Sequence, residues 1–282
     1  MRATAVIGHE KDWTEFASRN EAFTACLPRL NELIGLTFMR HLIGAGFLDK
    51  VVFFLGNEAV EEFGEVLVLA GNGYGTGAQK IVRGMFERMV TLSHLIRNPE
   101  DSDAWVDFGD VSDHRLANAT VTALGGGIIP DEVIKEIDRR YELVKEKYRV
   151  SVCKKCGTTR ISHTWTRLDV VAMANNDDFL KGMIIEAYLE PMAYTHATRR
   201  SILARVTKLE NGGIGFNAGS SPNEADRAMC AAHKLLLYAI ELNHKYFGMD
   251  NLDLRNQCWG DCSAVWKRLP KVEATEAEEK PA

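Results

Sequence analysis

DDFLKGMIIEAYLEPMAYTHATRRSILARV, residues 177–206, reads as one long helix. Leu180, Ile184, Tyr188, Met192, Ile202 and Val206 recur at helical rather than alternating spacing, which points to an all-α chain instead of a sheet. At ~100° per residue, Arg199 falls within about 20° of Tyr188 on that stripe. Thr195 lands there too, and His196 lies at its edge. A guanidinium does not lose its proton, so burial demands a partner. The stripe therefore marks a structural ion pair or a polar pocket. Pro191 lies inside the segment and is expected to kink it.

Working outward, helix signals dominate. Glu21 to about Ala45 has helical periodicity, interrupted at Pro28 and ended by Gly44 and Gly46. A second apolar segment runs from Phe47 to Ala70. Thr76 stands three residues before Gln79, a capping-box spacing that opens a helix through Arg97, and Asn98-Pro99 stops it. Asp101 and Ser102 start a helix toward Leu124. Pro130 with Asp131 and Glu132 suits the first turn of one through Lys147. Ser151 to Thr164 reads as a loop carrying cysteines, Trp165 to Ala174 as a short helix, and Gly212 to Ser221 as a glycine-rich loop. Pro222 opens a helix through Phe247. The expected fold is an antiparallel helical bundle, one all-α domain over 1–269 with the 151–164 loop inserted. Residues 270–282, PKVEATEAEEKPA, read as a disordered acidic tail.

Two segments resemble an uncharacterised bacterial and archaeal helical family. GAQKIVRGMFERMVTLSHLIRNPED is similar to its arginine–glutamate helix. HTWTRLDVVAMANNDDFLKGMIIEAYLEPMAYTHATRRS is similar to its tryptophan helix and the tyrosine-to-histidine helix that follows. The resemblance covers about half the chain and implies that Arg83, Glu87, Trp165, Tyr188 and His196 match recurring polar or aromatic positions. Met192 stands where a small hydroxyl residue is expected. The resemblance implies an all-helical fold and no activity, because the family is a domain of unknown function.

On the arginine–glutamate helix, Ile81, Met85, Phe86, Met89, Leu92 and Ile96 form the apolar face. Lys80, Arg83, Glu87, Thr91 and His94 share the opposite arc. One reading is a solvated face with an i,i+4 pair that contributes a few tenths of a kcal/mol. The other puts this arc opposite Tyr188, His196 and Arg199 across a bundle interior. There Glu87 neutralises Arg199 and leaves Arg83 to bind an anionic group. Arg88 and His94 also fit the arginine–histidine spacing of a helical ribonuclease superfamily, which it resembles. By that resemblance the arginine holds phosphate and the histidine assists attack by the ribose 2′-hydroxyl. Met89 departs from the polar residue usual there.

Cys153 and Cys156, followed by Gly157, have zinc-knuckle spacing, and Cys258 and Cys262 form a second pair about a hundred residues away. Together they could supply four thiolates to one structural zinc, with His163 a possible substitute. The alternative is two unrelated reduced pairs. Cys26 and Cys230 read as small core residues. VLVLAGNGYGTGAQK invites a strand leading into a phosphate cradle at Gly71, Gly73, Gly75 and Gly77. It lacks both the dinucleotide-binding and the P-loop spacing, so a flexible interhelical turn is the simpler reading.

At 282 residues, 46% hydrophobic and 26% charged, the chain has ordinary globular composition. A formal charge of −5 argues against broad binding to nucleic acid or anionic membrane. It leaves open a local contact through Lys145, Lys147, Arg149, Lys154, Lys155 and Arg160. No apolar run is long enough for a spanning helix. The sparse cysteines and the opening MRATAVIGHEKDW, which lacks a signal-peptide core, point to the cytoplasm. Two function classes follow. One is a binding protein whose Arg83, Glu87, Tyr188, His196 and Arg199 recognise an anionic ligand or a partner. The other is a phosphodiester hydrolase with His196 or His94 as base and an arginine, Arg88 among the candidates, stabilising charge. A nucleotide-phosphate binder at the Gly71–Gly77 loop is a further alternative.

Overall fold

The computed structural model describes residues 11–153, 155–196, 198–203, 205–267 and 269. The acidic-tail reading of 270–282 and the basic residue Lys154 lie outside them. Helices dominate, as the periodicities predict. The chain groups into two compact units: the described residues up to Ser93 with those from Ala174 onward, and His94–Met173. The sequence reading treats the same span as one domain.

The first unit holds α1 (Asp12–Arg19), α2 (Glu21–Phe38), α3 (Phe47–Gly71) and most of α4 (Gly75–Arg97). The chain returns to it with α8 (Asp178–Met183), α9 (Glu190–Thr195), α10 (Arg199–Leu203), α11 (Pro222–Phe247) and α12 (Leu252–Trp266). A short hairpin of β3 (Val206–Lys208) and β4 (Ile214–Phe216) joins α10 to α11. Alanines at 225, 228, 231, 232 and 239 keep α11 slim and favour the helix, and it runs buried along α3. α12 packs on α2. Phe23 is fully buried where the rings of Phe16, Phe63 and Trp266 meet it, at centroid distances of 5.4 to 6.5 Å. Truncating such a side chain costs about 3–5 kcal/mol.

The second unit contains α5 (Ser102–Leu124), α6 (Asp131–Val144), the antiparallel pair β1 (Arg149–Ser151) and β2 (Thr159–Ile161), and most of α7 (Val170–Ala174). Its core is Val111, Val144 and Tyr148 with Phe108, Tyr141 and Ile161 packed around them. Among the described residues no helix is long and apolar enough to cross a membrane.

The long helix expected over 177–206 is not continuous. α8 runs into a π-helical turn at Ile184–Leu189, α9 ends at Thr195, and His196 is extended, with φ −111° and ψ 156°. Two local causes are visible. Pro191 has no N–H to continue the regular ladder, so the register widens just before it. Thr195 and Thr198 then turn their hydroxyls onto the carbonyls of Pro191 (3.2 Å) and Ala193 (2.9 Å), and Thr198 Oγ1 accepts from the Ser201 amide. Side-chain bonds of this kind compete with the helix. Pro28, by contrast, sits inside an unbroken α2. The short helix expected from Trp165 begins only at Val170, and α1, α12 and the two hairpins carry too few periodic residues to stand out in the sequence.

Candidate functional site

Arg83 stands on α4 with Glu87 one turn later, and its Nε donates to Glu87 Oε1 at 3.0 Å. The guanidinium carbon lies 5.2 Å from the Tyr188 ring centroid, close enough for a cation–π contact of about 0.5–1 kcal/mol. Tyr188 leaves the π-helical turn and leans on Phe86, with ring centroids 5.7 Å apart and planes 30° apart. His196, exposed at the end of α9, brings Nε2 to 3.4 Å from Arg83 Nη1. Arg83 can only donate, so His196 Nε2 is the acceptor in this contact. Four of the five expected ligand-binding residues, Arg83, Glu87, Tyr188 and His196, are thus brought together.

Arg199 is not among them. It is exposed on α10, beyond the break at His196, so the apolar stripe that would have buried it does not extend that far. Ile202, of the same stripe, is also exposed. Glu87 pairs with Arg83 instead of neutralising Arg199. The unexpected neighbour is Arg205, whose Nη2 donates to Thr76 Oγ1 at 2.6 Å. Thr76 precedes Arg83 by two helical turns on the same face, about 10 Å away. Among the described residues no carboxylate pairs with Arg205, so this hydroxyl leaves its charge unneutralised. No local signal in the sequence joins positions 76 and 205.

Arg88 is turned toward α3. Its Nε meets Glu58 Oε2 at 2.7 Å and its Nη1 meets Glu62 Oε1 at 2.5 Å. Two carboxylates therefore occupy the guanidinium that the ribonuclease-like reading would give to phosphate. In the second unit, His94 is buried, with Nε2 2.8 Å from Asp101 and its ring edge-on to Trp165 at 5.3 Å. Arg88 is thus held by two carboxylates although its side chain is 41% exposed, and His94 is shut in by Asp101 and Trp165.

Asp177 begins α8 as its N-cap, accepting from the Leu180 amide at 3.0 Å. Its other oxygen accepts from Ser93 (2.6 Å) and from Tyr238, so one carboxylate ties α4, α8 and α11. The glycine-rich segment is structural in a similar way. Residues 66–71 end helix α3 rather than forming a strand. Gly73, at φ +79°, gives its carbonyl to the Ser221 amide at 3.0 Å. A Cβ on Gly75 would fall 2.5 Å from Ser221 O and 2.7 Å from Glu224 C. The close approach these glycines permit is taken by the start of α11.

Cys153 and Cys156 lie in the turn between β1 and β2. Hydrogen bonds from Thr158 and Cys153 pull the Cys156 thiol down to about 7. Cys258 and Cys262 sit buried on α12, where burial pushes their thiols up to about 11 and about 12. Among the described residues no group of three or more His, Cys, Asp or Glu is arranged to hold a metal ion. The basic stretch before the cysteines is largely self-neutralised: Lys145 pairs with Glu142, Lys147 with Asp107 and Arg149 with Glu146. Glu186 and Glu190, which the helical wheel sends to the surface, are half-buried and paired with Lys234 (2.7 Å) and Arg227 (3.4 Å).

Residues 49–213 match the model of a family of unknown function, DUF5677. That span contains Arg83, Glu87, Tyr188, His196 and Arg205. No curated protein and no solved structure matches the chain.

Proposed function

This chain belongs to a family of unknown function, DUF5677, and we propose that it is a binding protein whose Arg83 receives a small anionic group. One observation carries this reading. Arg83 is held from one side by Glu87 and stacked on Tyr188, yet only Nε and Nη1 meet protein partners among the described residues. Its Nη2 donors are left for a ligand, beside the Tyr188 ring and the His196 imidazole. Arg205 adds a second positive charge about 10 Å along the same helix face. Glu87 offsets only one of these charges, so the site favours a small anionic group such as a carboxylate or a phosphate ester. The hydrolase alternative has less support, because Arg88 is already paired twice and His94 is buried against Asp101.

Thermal unfolding of the purified chain in a series of acetate, inorganic phosphate and a nucleoside monophosphate tests the proposal. A ligand at 100 times its Kd raises stability by about 2.7 kcal/mol. Saturable stabilisation by one of them is expected, lost in Arg83→Ala and partly kept in Arg83→Lys. Equal binding by wild type and Arg83→Ala, or no response to any of the three, overturns it.

A further inference from the structure

A second cleft lies on the other side of the π-helical turn, wholly within the first unit. It occupies about 630 Å³, inside the range of small-molecule sites, between the 178–190 segment, α11 and α12. Phe179 and Trp259 form aromatic walls and meet edge to face at 5.7 Å. Trp266 closes one end, and its indole N–H is fixed on His233 Nδ1 at 3.2 Å. The small side chains of Cys230 and Cys262 leave the floor deep.

The polar part of this cleft is the Lys234–Glu186 pair. Lys234 Nζ donates to Glu186 Oε1 at 2.7 Å, and both side chains are about one-third exposed or less. Nζ also hydrogen-bonds the Cys230 thiol, which leaves it one further donor position, and Glu186 has a second oxygen. The pair therefore offers a donor and an acceptor side by side. Three cations (Arg227, Lys234, Lys267) and three carboxylates (Asp178, Glu186, Glu190) line the cleft, so its walls select for no net charge.

Gly182 adds an independent observation. Glycine inside a helix costs about 1 kcal/mol relative to alanine, and close packing usually explains it. At Gly182 an added Cβ would meet nothing within 4 Å, and the residue borders the cleft. A side chain can therefore be introduced at the border of the cleft without its Cβ meeting protein.

We propose that this cleft is a binding site, distinct from the Arg83 site, for an uncharged planar heteroaromatic ligand of nucleobase type. The flat ring stacks on Trp259, and an edge carrying adjacent acceptor and donor atoms pairs with Lys234 and Glu186.

Calorimetric titration with adenosine as the probe, and benzoate as a charged aromatic comparison, tests this. Adenosine is expected to bind saturably and benzoate more weakly. Gly182→Trp, whose Cβ meets no atom within 4 Å, should block the cleft and abolish binding while leaving the melting temperature unchanged or higher. If that variant fails to fold, Ser263→Trp blocks the same cleft from its exposed rim. Lys234→Met should weaken adenosine about tenfold, the equivalent of one lost hydrogen-bonding partner. Arg83→Ala should leave it unchanged, which separates this site from the anion site. No saturable binding at millimolar adenosine, tighter binding of benzoate, or full binding by a folded Gly182→Trp protein overturns the proposal.

Discussion

Glu62 should make the protein less stable as the pH rises through neutrality. Its side chain on α3 is only 11% exposed. One oxygen meets Arg88 at 2.5 Å, but the other is buried without a hydrogen-bond partner among the described residues. Arg88 is also shared with Glu58. Burial therefore outweighs the guanidinium, and the carboxyl is pushed from 4.5 up to about 7. The folded chain keeps a proton that the unfolded chain releases near 4.5. The ionisation penalty is absent below that value, grows through the interval, and is complete above about 7. A rise of this size corresponds to about 3 kcal/mol. Glu62→Gln removes the titration while preserving shape. Urea unfolding of both proteins at matched salt from pH 5 to pH 8 measures the effect. The variant's stability relative to wild type should increase by about 2–3 kcal/mol across that range. Contributions from His233 and His244 are common to both proteins and cancel. A difference that stays constant, or shrinks as the pH rises, would show that Arg88 fully compensates the buried charge.

Asp177→Ala removes a helix cap and two side-chain bonds, and should cost about 2–3 kcal/mol in thermal or denaturant unfolding. Gly75→Ala drives a methyl group into the backbone at the start of α11 and should cost about 3 kcal/mol; a loss below about 0.5 kcal/mol would mean that α11 can move aside. Burial holds His233 and His244 down to about 4 in the folded chain. The unfolded chain takes up these protons near 6.5, so their contribution is intact above that pH and is lost as the pH falls toward 4. In Glu62→Gln, where the opposing carboxyl is gone, unfolding curves between pH 7 and pH 4 should show this loss directly. Cys156 should be the first thiol alkylated by iodoacetamide at pH 7, and Cys258 and Cys262 should react only on unfolding, as mass spectrometry of a time course would record.

Helices with strong periodicity and flanking signals were legible in the sequence. Pro222 and the residues after it mark the start of α11, and the α4 stripe identifies Met85, Phe86 and Met89 as core. The site was legible as a set of residues but not as a set of partners. Arg83 and Glu87 are neighbours on one helix, whereas Arg83 meets His196 across 113 positions and Arg205 meets Thr76 across 129. Periodicity extrapolated through Pro191 misplaced Arg199, because a wheel assumes constant register. Glu58 and Glu62 show why Arg88 looked free: a helix face reveals its own charges, but not those of the helix packed against it.

The π-helical turn at Ile184–Leu189 is what a helix makes of one residue too many. Removing one residue from 184–189 is thus a deletion that the backbone can accommodate by returning to α geometry. It would also turn everything on one side by about 100° relative to the other. Tyr188 would then no longer stand over Arg83 while Glu186 faces Lys234. The length of this segment is expected to be harder to change in related chains than its composition.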